Sequence, residues 1–372
     1  MDKRLEKSPY QGNPPFDPKS IHIETKPIPL EAIVRRIQQG TILLTPDFQR
    51  NQIWNNTKKS LLIESLMLNI PIPLFYVSCD EDNRWSVIDG LQRLTAIKEF
   101  CIEKTLVLRG LEFFTKFDNK HFDDLPPLYL NRIMETTLQV VIVEPTTDSQ
   151  VKFNIFKRIN TGGVVLNAQE IRHALYYGPG TRLLDDLVRS KEMQMVFGKK
   201  PSDNRMKRHE MVLRTLSFLL FGYQKYGDDF SQDRFLCEGL ITMNAMESDK
   251  DHDKECGYKT LSQLEDAFSL GLHRGIEMFG KSAFRIQKGS QRGSINGSLF
   301  EVFITLLSEL NDEAYGMIQG KGTLIMEMLG KEIGEKKEFY RALSRDPWTR
   351  KNVTLRFVTI QNILKEASHA DT

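Results

Sequence analysis

Chemistry is concentrated at Asp89-Gly90-Leu91-Gln92-Arg93, where a carboxylate, a glycine, an amide and a guanidinium follow one another closely. The residues before it alternate as a strand, with Trp85, Val87 and Asp89 on one side and Ser86 and Ile88 on the other. After it, Leu94, Ile97 and Cys101 recur at helical spacing and predict a helix over Gln92–Glu103. A strand–Gly–helix junction gathers free backbone N–H groups at the positive end of a helix dipole, which suits a phosphate or another anion. A glycine that only turns the chain leaves the same pattern, so the junction alone keeps both readings open.

Three other segments set polar side chains in loops beside apolar elements: Asp47–Arg50, Arg158–Gly163 and Glu170–His173. They supply Gln49, Arg50, Arg158, Asn160 and Arg172 as candidate ligand contacts. Arginines beside Asn, Gln or Gly suit bidentate contact with phosphate oxygens, and arginines at such places also bridge carboxylates within a fold. Asp89 or Glu170 could hold Mg2+ on a nucleotide or activate a water, although a lone carboxylate often serves as a cap. The seven histidines show neither H-E-x-x-H nor Cys/His ligand spacing. With no P-loop and no G-x-G-x-x-G, a nucleotide would bind by another mode. Lys199 to Arg214 carries Lys199, Lys200, Arg205, Lys207, Arg208 and Arg214 against Asp203 and Glu210, and Arg274 to Arg292 is comparably basic. Such stripes suit a nucleic-acid backbone or are solvated helix faces.

The elements that must position these residues follow from composition and period. At 372 residues the chain can bury a sizeable core, and a net charge of +2 gives no general case for nucleic acid. The four cysteines are far apart and read as reduced thiols; the Met1–Lys7 start has no apolar run, and the most apolar stretch, Leu213 to Tyr223, is shorter than the about 20 residues a bilayer requires. The expectation is a cytoplasmic protein without a membrane segment. Residues 1–20, with four prolines, read as a flexible arm. Leu30, Ile33, Val34 and Ile37 predict an amphipathic helix closed by Gly40. A helix over Thr57–Asn69, an edge strand over Pro73–Val77 or just after the proline, a small hairpin around Arg109-Gly110, a short helix to Met134 and an interior strand over Thr137–Val143 follow. From Ser149 onward the periodicity is helical, with Asn167 and Glu170 spaced as a capping box and acidic and Gly/Ser-rich loops at 247–255 and 288–297. The reading is therefore an α+β or α/β domain over 21–146 with a mixed sheet, then an all-α domain over 147–372.

Asp89-Gly90-Leu91-Gln92-Arg93-Leu94-Thr95 is similar to the D-G-Q-Q-R-L-T signature of the GmrSD restriction endonuclease N-terminal domain, a ParB-like family common in bacterial phage defence. Pro46-Asp47-Phe48-Gln49-Arg50 with Trp54, the step Ile70-Pro71-Ile72-Pro73, and Phe156-Lys157-Arg158-Ile159-Asn160-Thr161-Gly162-Gly163 with Glu170-Ile171-Arg172 resemble its other blocks, in order. The resemblance implies a ParB-like fold with Asp89, Gln92 and Arg93 at a nucleotide pocket, completed by Gln49, Arg50, Gly90, Arg158, Asn160 and Arg172. It implies an NTP with Mg2+ as cofactors and modified DNA as the target; the basic stretch beyond the resembling blocks separately offers Lys199, Lys200, Lys207 and Arg208 as DNA contacts. A non-catalytic DNA-binding or adaptor role is the alternative, and homo-oligomerisation is compatible with either. On the nucleotide reading, Arg93→Ala abolishes binding and barely changes the melting temperature. Two departures stand out: Leu91 replaces the first Gln of the signature, and no H-N-H half is legible, so cleavage would fall to a nuclease partner protein.

Overall fold

Among the described residues, runs of β-branched and aromatic residues form five strands, and these make one mixed sheet in the order β1-β5-β3-β4-β2. The strands are β1 (Ile23–Pro29), β2 (Ile42–Leu43), β3 (Phe75–Cys79), β4 (Trp85–Asp89) and β5 (Thr137–Val143). A computed structural model describes residues 21–44, 54–159, 166–198, 204–227, 231–246, 258–286 and 293–370. The N-terminal arm, the acidic loop 247–255, Gln49, Arg50, Asn160, Lys199 and Lys200 lie outside the described residues.

β1 pairs antiparallel with β5 over its whole length, from Ile23 opposite Val143 to Pro29 opposite Thr137. Pro27 and Pro29 cannot donate to a ladder on both sides, which fits a strand at the sheet edge. β5 is interior, as its apolar run predicts. Of the two placements expected for β3, the edge does not hold and the start just after the proline does: the strand begins at Phe75, so Pro71 and Pro73 lie outside the ladder. β3 lies between β5, with which it is parallel, and β4, with which it is antiparallel. β2 is two residues long and was too short to give a periodic signal.

Helices flank the sheet. α1 (Leu30–Gln38) buries Leu30, Ile33, Val34 and Ile37, the predicted face, and Gly40 ends it at φ +70. α2 (Asn56–Met67) is capped by Asn55, whose side chain accepts from the Lys58 N–H at 2.9 Å. α3 (Leu91–Ile97) continues into a π-helical turn over Lys98–Ile102, so the predicted single helix changes winding midway. α4 (Pro127–Glu135) leads into β5, followed by α5 (Ser149–Ile159) and α6 (Ala168–Leu175). The residues of the expected hairpin around Gly110 form no strands. Their backbone N–H groups bond to side chains: Ser60 takes Arg109, and the buried Glu64 takes Glu112, Phe113 and Phe114 at 2.7–3.0 Å. A carboxylate at 3 % exposure that accepts three backbone donors competes directly with a β ladder.

By contacts the chain forms two compact units, Met1–Leu175 and Tyr176–Thr372. The second is helical: α7 (Pro179–Arg189), α8 (Lys191–Phe197), α9 (Lys207–Phe221), α10 (Gln232–Ala245), α11 (Leu261–Phe279), α12 (Gly297–Glu309), α13 (Asp312–Ile318), α14 (Gly322–Glu335), α15 (Lys337–Ser344) and α16 (Arg350–His369). A run of ten residues of α12, Ser298 to Leu307, is buried, and α9, α11, α15 and α16 pack around it. Gly271 permits the closest approach, since a Cβ there would lie 2.2 Å from the Ile304 carbonyl oxygen. No helix among the described residues is long and apolar enough to cross a membrane.

Candidate functional site

The strand–turn–helix junction forms as its residue types predict. Asp89 ends β4, opposite Tyr76, and Gly90 takes the left-handed conformation at φ +96 that L side chains rarely adopt. Space as well as backbone requires glycine there: a Cβ would lie 2.4 Å from Cδ1 of the Phe75 ring. Gly90→Ala is therefore expected to destabilise the first unit by about 2 kcal/mol or more, read as a lower denaturation midpoint with an unchanged slope.

Arg93 turns back under this turn. Its NH2 donates to the Leu74 carbonyl and to Asp89 Oδ2, both at 3.0 Å, and its NH1 donates to the Pro73 carbonyl. Its guanidinium carbon lies 4.4 Å from the centre of the Phe75 ring. Burial pushes the pKa of Arg93 down, and the adjacent Asp89 carboxylate pulls it back up. Asp89 and Arg93 lie on either side of the glycine turn, at the end of the strand and in the first turn of the helix. Nothing in the sequence pointed to Phe75, Pro73 and Leu74 as their surroundings. The guanidinium thus locks the start of β3 to the end of β4. Asp89 keeps a side-chain exposure of 40 %, against 10 % for Arg93, so the carboxylate is the part of the pair that meets solvent.

Gln92 Oε1 accepts the backbone N–H of Trp54 at 3.3 Å, which fastens the end of the Pro46–Trp54 block to the junction. From the other side of the sequence, α6 packs against β4. Glu170 caps α6 as predicted: its carboxylate accepts the Asn167 N–H at 2.6 Å while Asn167 Oδ1 accepts the Glu170 N–H at 2.9 Å. Arg172 is fully buried, with Nε on Gln169 Oε1 at 3.0 Å and its guanidinium carbon 5.5 Å from the Phe153 ring centre. Arg158 is exposed in the last turn of α5. Leu91, the departure from the D-G-Q-Q-R pattern, is 6 % exposed in the apolar core of the first unit; it packs and makes no polar contact.

Several cations of the basic stretches turn inward. Arg214 Nε donates to Glu301 at 2.6 Å, and Arg274 bonds the Leu307 and Leu310 carbonyls that end α12. Lys207 remains exposed, and the Arg208 guanidinium carbon lies 4.9 Å from the Phe197 ring centre. Among the described residues, no three His, Cys, Asp or Glu side chains are grouped to hold a metal ion.

The motif order, the mixed sheet and the locked Asp89–Arg93 turn can be set beside known families. Residues 30–177 match the family model of the GmrSD restriction endonuclease, N-terminal domain. The matched span runs from the first residue of α1 to just past α6, and so ends within two residues of the limit of the first compact unit. The matched family is described as the N-terminal domain of a restriction endonuclease, and the match falls on the first compact unit and not the second. No curated protein and no solved structure matches the chain.

Proposed function

We propose that the GmrSD_N-type domain binds a nucleoside triphosphate beside the Asp89–Arg93 junction and uses it to control a restriction activity on DNA. The observation that carries this reading is the attachment of both flanking motif blocks to one turn. Trp54 bonds Gln92, and α6, which bears Arg172, packs on β4, which ends in Asp89. In this reading Asp89 is the working carboxylate. One of its oxygens is committed to Arg93, and the other suits a Mg2+ shared with substrate phosphates, an ion that needs only one or two protein carboxylates. Mg2+ would supply charge neutralisation at the phosphates. Gln92 would orient a water or ligand group, and Arg50, Gln49, Asn160 and Arg158 would approach the phosphates from the adjoining segments. Arg93 acts as a positioning residue, because its donors already serve Pro73, Leu74 and Asp89. A nuclease partner protein would cut the DNA, and Lys207 and Arg208 would contact its backbone.

Asp89→Asn is the direct test, since the amide retains an oxygen for Arg93 and loses the charge. Calorimetric titration with each NTP and Mg2+ should show at least tenfold weaker binding, with the melting temperature within about 2 °C of the parent. Undiminished binding in a folded variant would refute the site. Nucleotide-independent DNA affinity that falls steeply with salt would favour the adaptor role instead.

A further inference from the structure

A second cleft in the first unit, of about 660 Å³, shares no residue with the junction and falls in the size range of small-molecule sites. One wall is α1, with Arg35 and Arg36; the other is the paired β1 and β5, with Glu24, Lys26 and Glu144. Ile28 and Ile142 contribute apolar surface between the walls.

The two walls differ in what they leave unspent. The Arg36 guanidinium carbon sits 4.0 Å from the centre of the Trp85 ring, and its NH2 donates to the Asn83 carbonyl at 2.7 Å. Stacking and this bond fix the plane of the guanidinium, while NH1 takes no bond among the described residues. Arg35 is exposed and forms no ion pair among the described residues. On the opposite wall, Glu24 is spent on Lys26 at 2.7 Å, whereas the Glu144 carboxylate accepts no hydrogen bond there. The cleft is therefore lined by two guanidinium groups on one wall and, on the other, by the Glu144 carboxylate, which acts on Lys26 through its charge alone, with Ile28 and Ile142 between. Guanidinium edges select phosphate oxygens. A carboxylate accepts from an exocyclic amino group, as it does from the N4 amine of cytosine. Ile28 and Ile142 give a planar apolar body a surface to lie on between them.

We propose that this cleft binds a mononucleotide unit whose base carries an amino group, with its phosphate on Arg35 and Arg36 and its amino group on Glu144. A free nucleotide and the 5′-phosphorylated end of a DNA strand present the same chemistry. The site does not depend on the nucleotide reading of the junction.

The protein's three tryptophans allow the two sites to be read separately by 19F NMR of the 5-fluorotryptophan-labelled full chain. Trp85 lies under Arg36 in the cleft, the Trp54 backbone is bonded to Gln92, and Trp348 belongs to the second unit. Titration with dCMP should shift the Trp85 resonance saturably, and dTMP and inorganic phosphate should each bind at least tenfold more weakly. Arg35→Ser and Glu144→Ala should each weaken the dCMP response tenfold or more, and Asp89→Asn should leave it intact. A saturable Trp85 shift with a 5′-phosphorylated oligodeoxycytidine and none with dCMP would assign the site to DNA ends. No saturable Trp85 shift with any probe, an equal response to inorganic phosphate, or an undiminished response in Arg35→Ser would overturn the proposal. A silent Trp85 with a shifting Trp54 would reject the cleft and spare the junction, whereas a shifting Trp85 with a silent Trp54 supports the cleft and leaves the junction to its NTP titration.

Discussion

Glu301→Ala is expected to cost about 3–5 kcal/mol and to lower the melting temperature by about 10 °C or more. Glu301 is fully buried in α12 between two arginines. Arg214 Nε donates to its Oε2 at 2.6 Å, and NH2 of the fully buried Arg356 donates to Oε1. Arg356 also donates to the Pro347 carbonyl, and both guanidinium carbons lie over the Trp348 ring, at 4.8 and 5.8 Å from its centre. Arg214 NH2 and Arg356 Nε are buried with no hydrogen-bond partner, so the cluster is already short of acceptors. Burial pushes the pKa of Arg356 down, and Glu301 opposes that shift. Removing the carboxylate leaves two buried cations facing each other, a larger penalty than the cavity alone. Calorimetric unfolding checks the magnitude. The triple replacement R214M/E301L/R356M separates the causes, because it removes the charges as a set and should recover most of the loss. A triple variant as unstable as Glu301→Ala would show that packing, not charge, sets the cost.

Arg93→Ala is expected to destabilise the first unit by about 3 kcal/mol, because it strips charged donors from the Pro73 and Leu74 carbonyls and uncovers Phe75. The bond to Asp89 adds little to that figure, since the carboxylate is partly solvated. Arg93→Lys should recover less than half, as an ammonium cannot span two carbonyls and lie flat on the ring. Chemical denaturation of each variant gives the numbers. These contacts predict a cost that the expectation of a nearly unchanged melting temperature did not include, so loss of nucleotide binding in Arg93→Ala would not by itself identify a phosphate contact. The smaller change, Asp89→Asn, is the informative one at this turn.

Local pattern carried much of the architecture. The apolar period of α1 named its buried face, Gly40 its end, and Asn167 with Glu170 the start of α6, because these depend on residues within one or two turns of each other. The carboxylate–glycine–arginine order at 89–93 likewise specified a strand, a left-handed turn and a helix. What each side chain does there was a tertiary outcome. Whether Arg93 faces a ligand or the fold depended on Pro73 and Leu74, some twenty positions away, and whether residues 105–114 pair as a hairpin depended on Glu64. The basic stretch ending at Arg214 lost that residue to Glu301, 87 positions on. Period and propensity are properties of neighbours along the chain, so the sequence by itself determined the elements of strong period and the family resemblance, but not the two-residue β2 or the loss of the hairpin near Gly110. The partners of buried charges come from distant segments, and only the tertiary structure decided which charges the fold consumes and which, such as Asp89, Arg35 and Glu144, it leaves available.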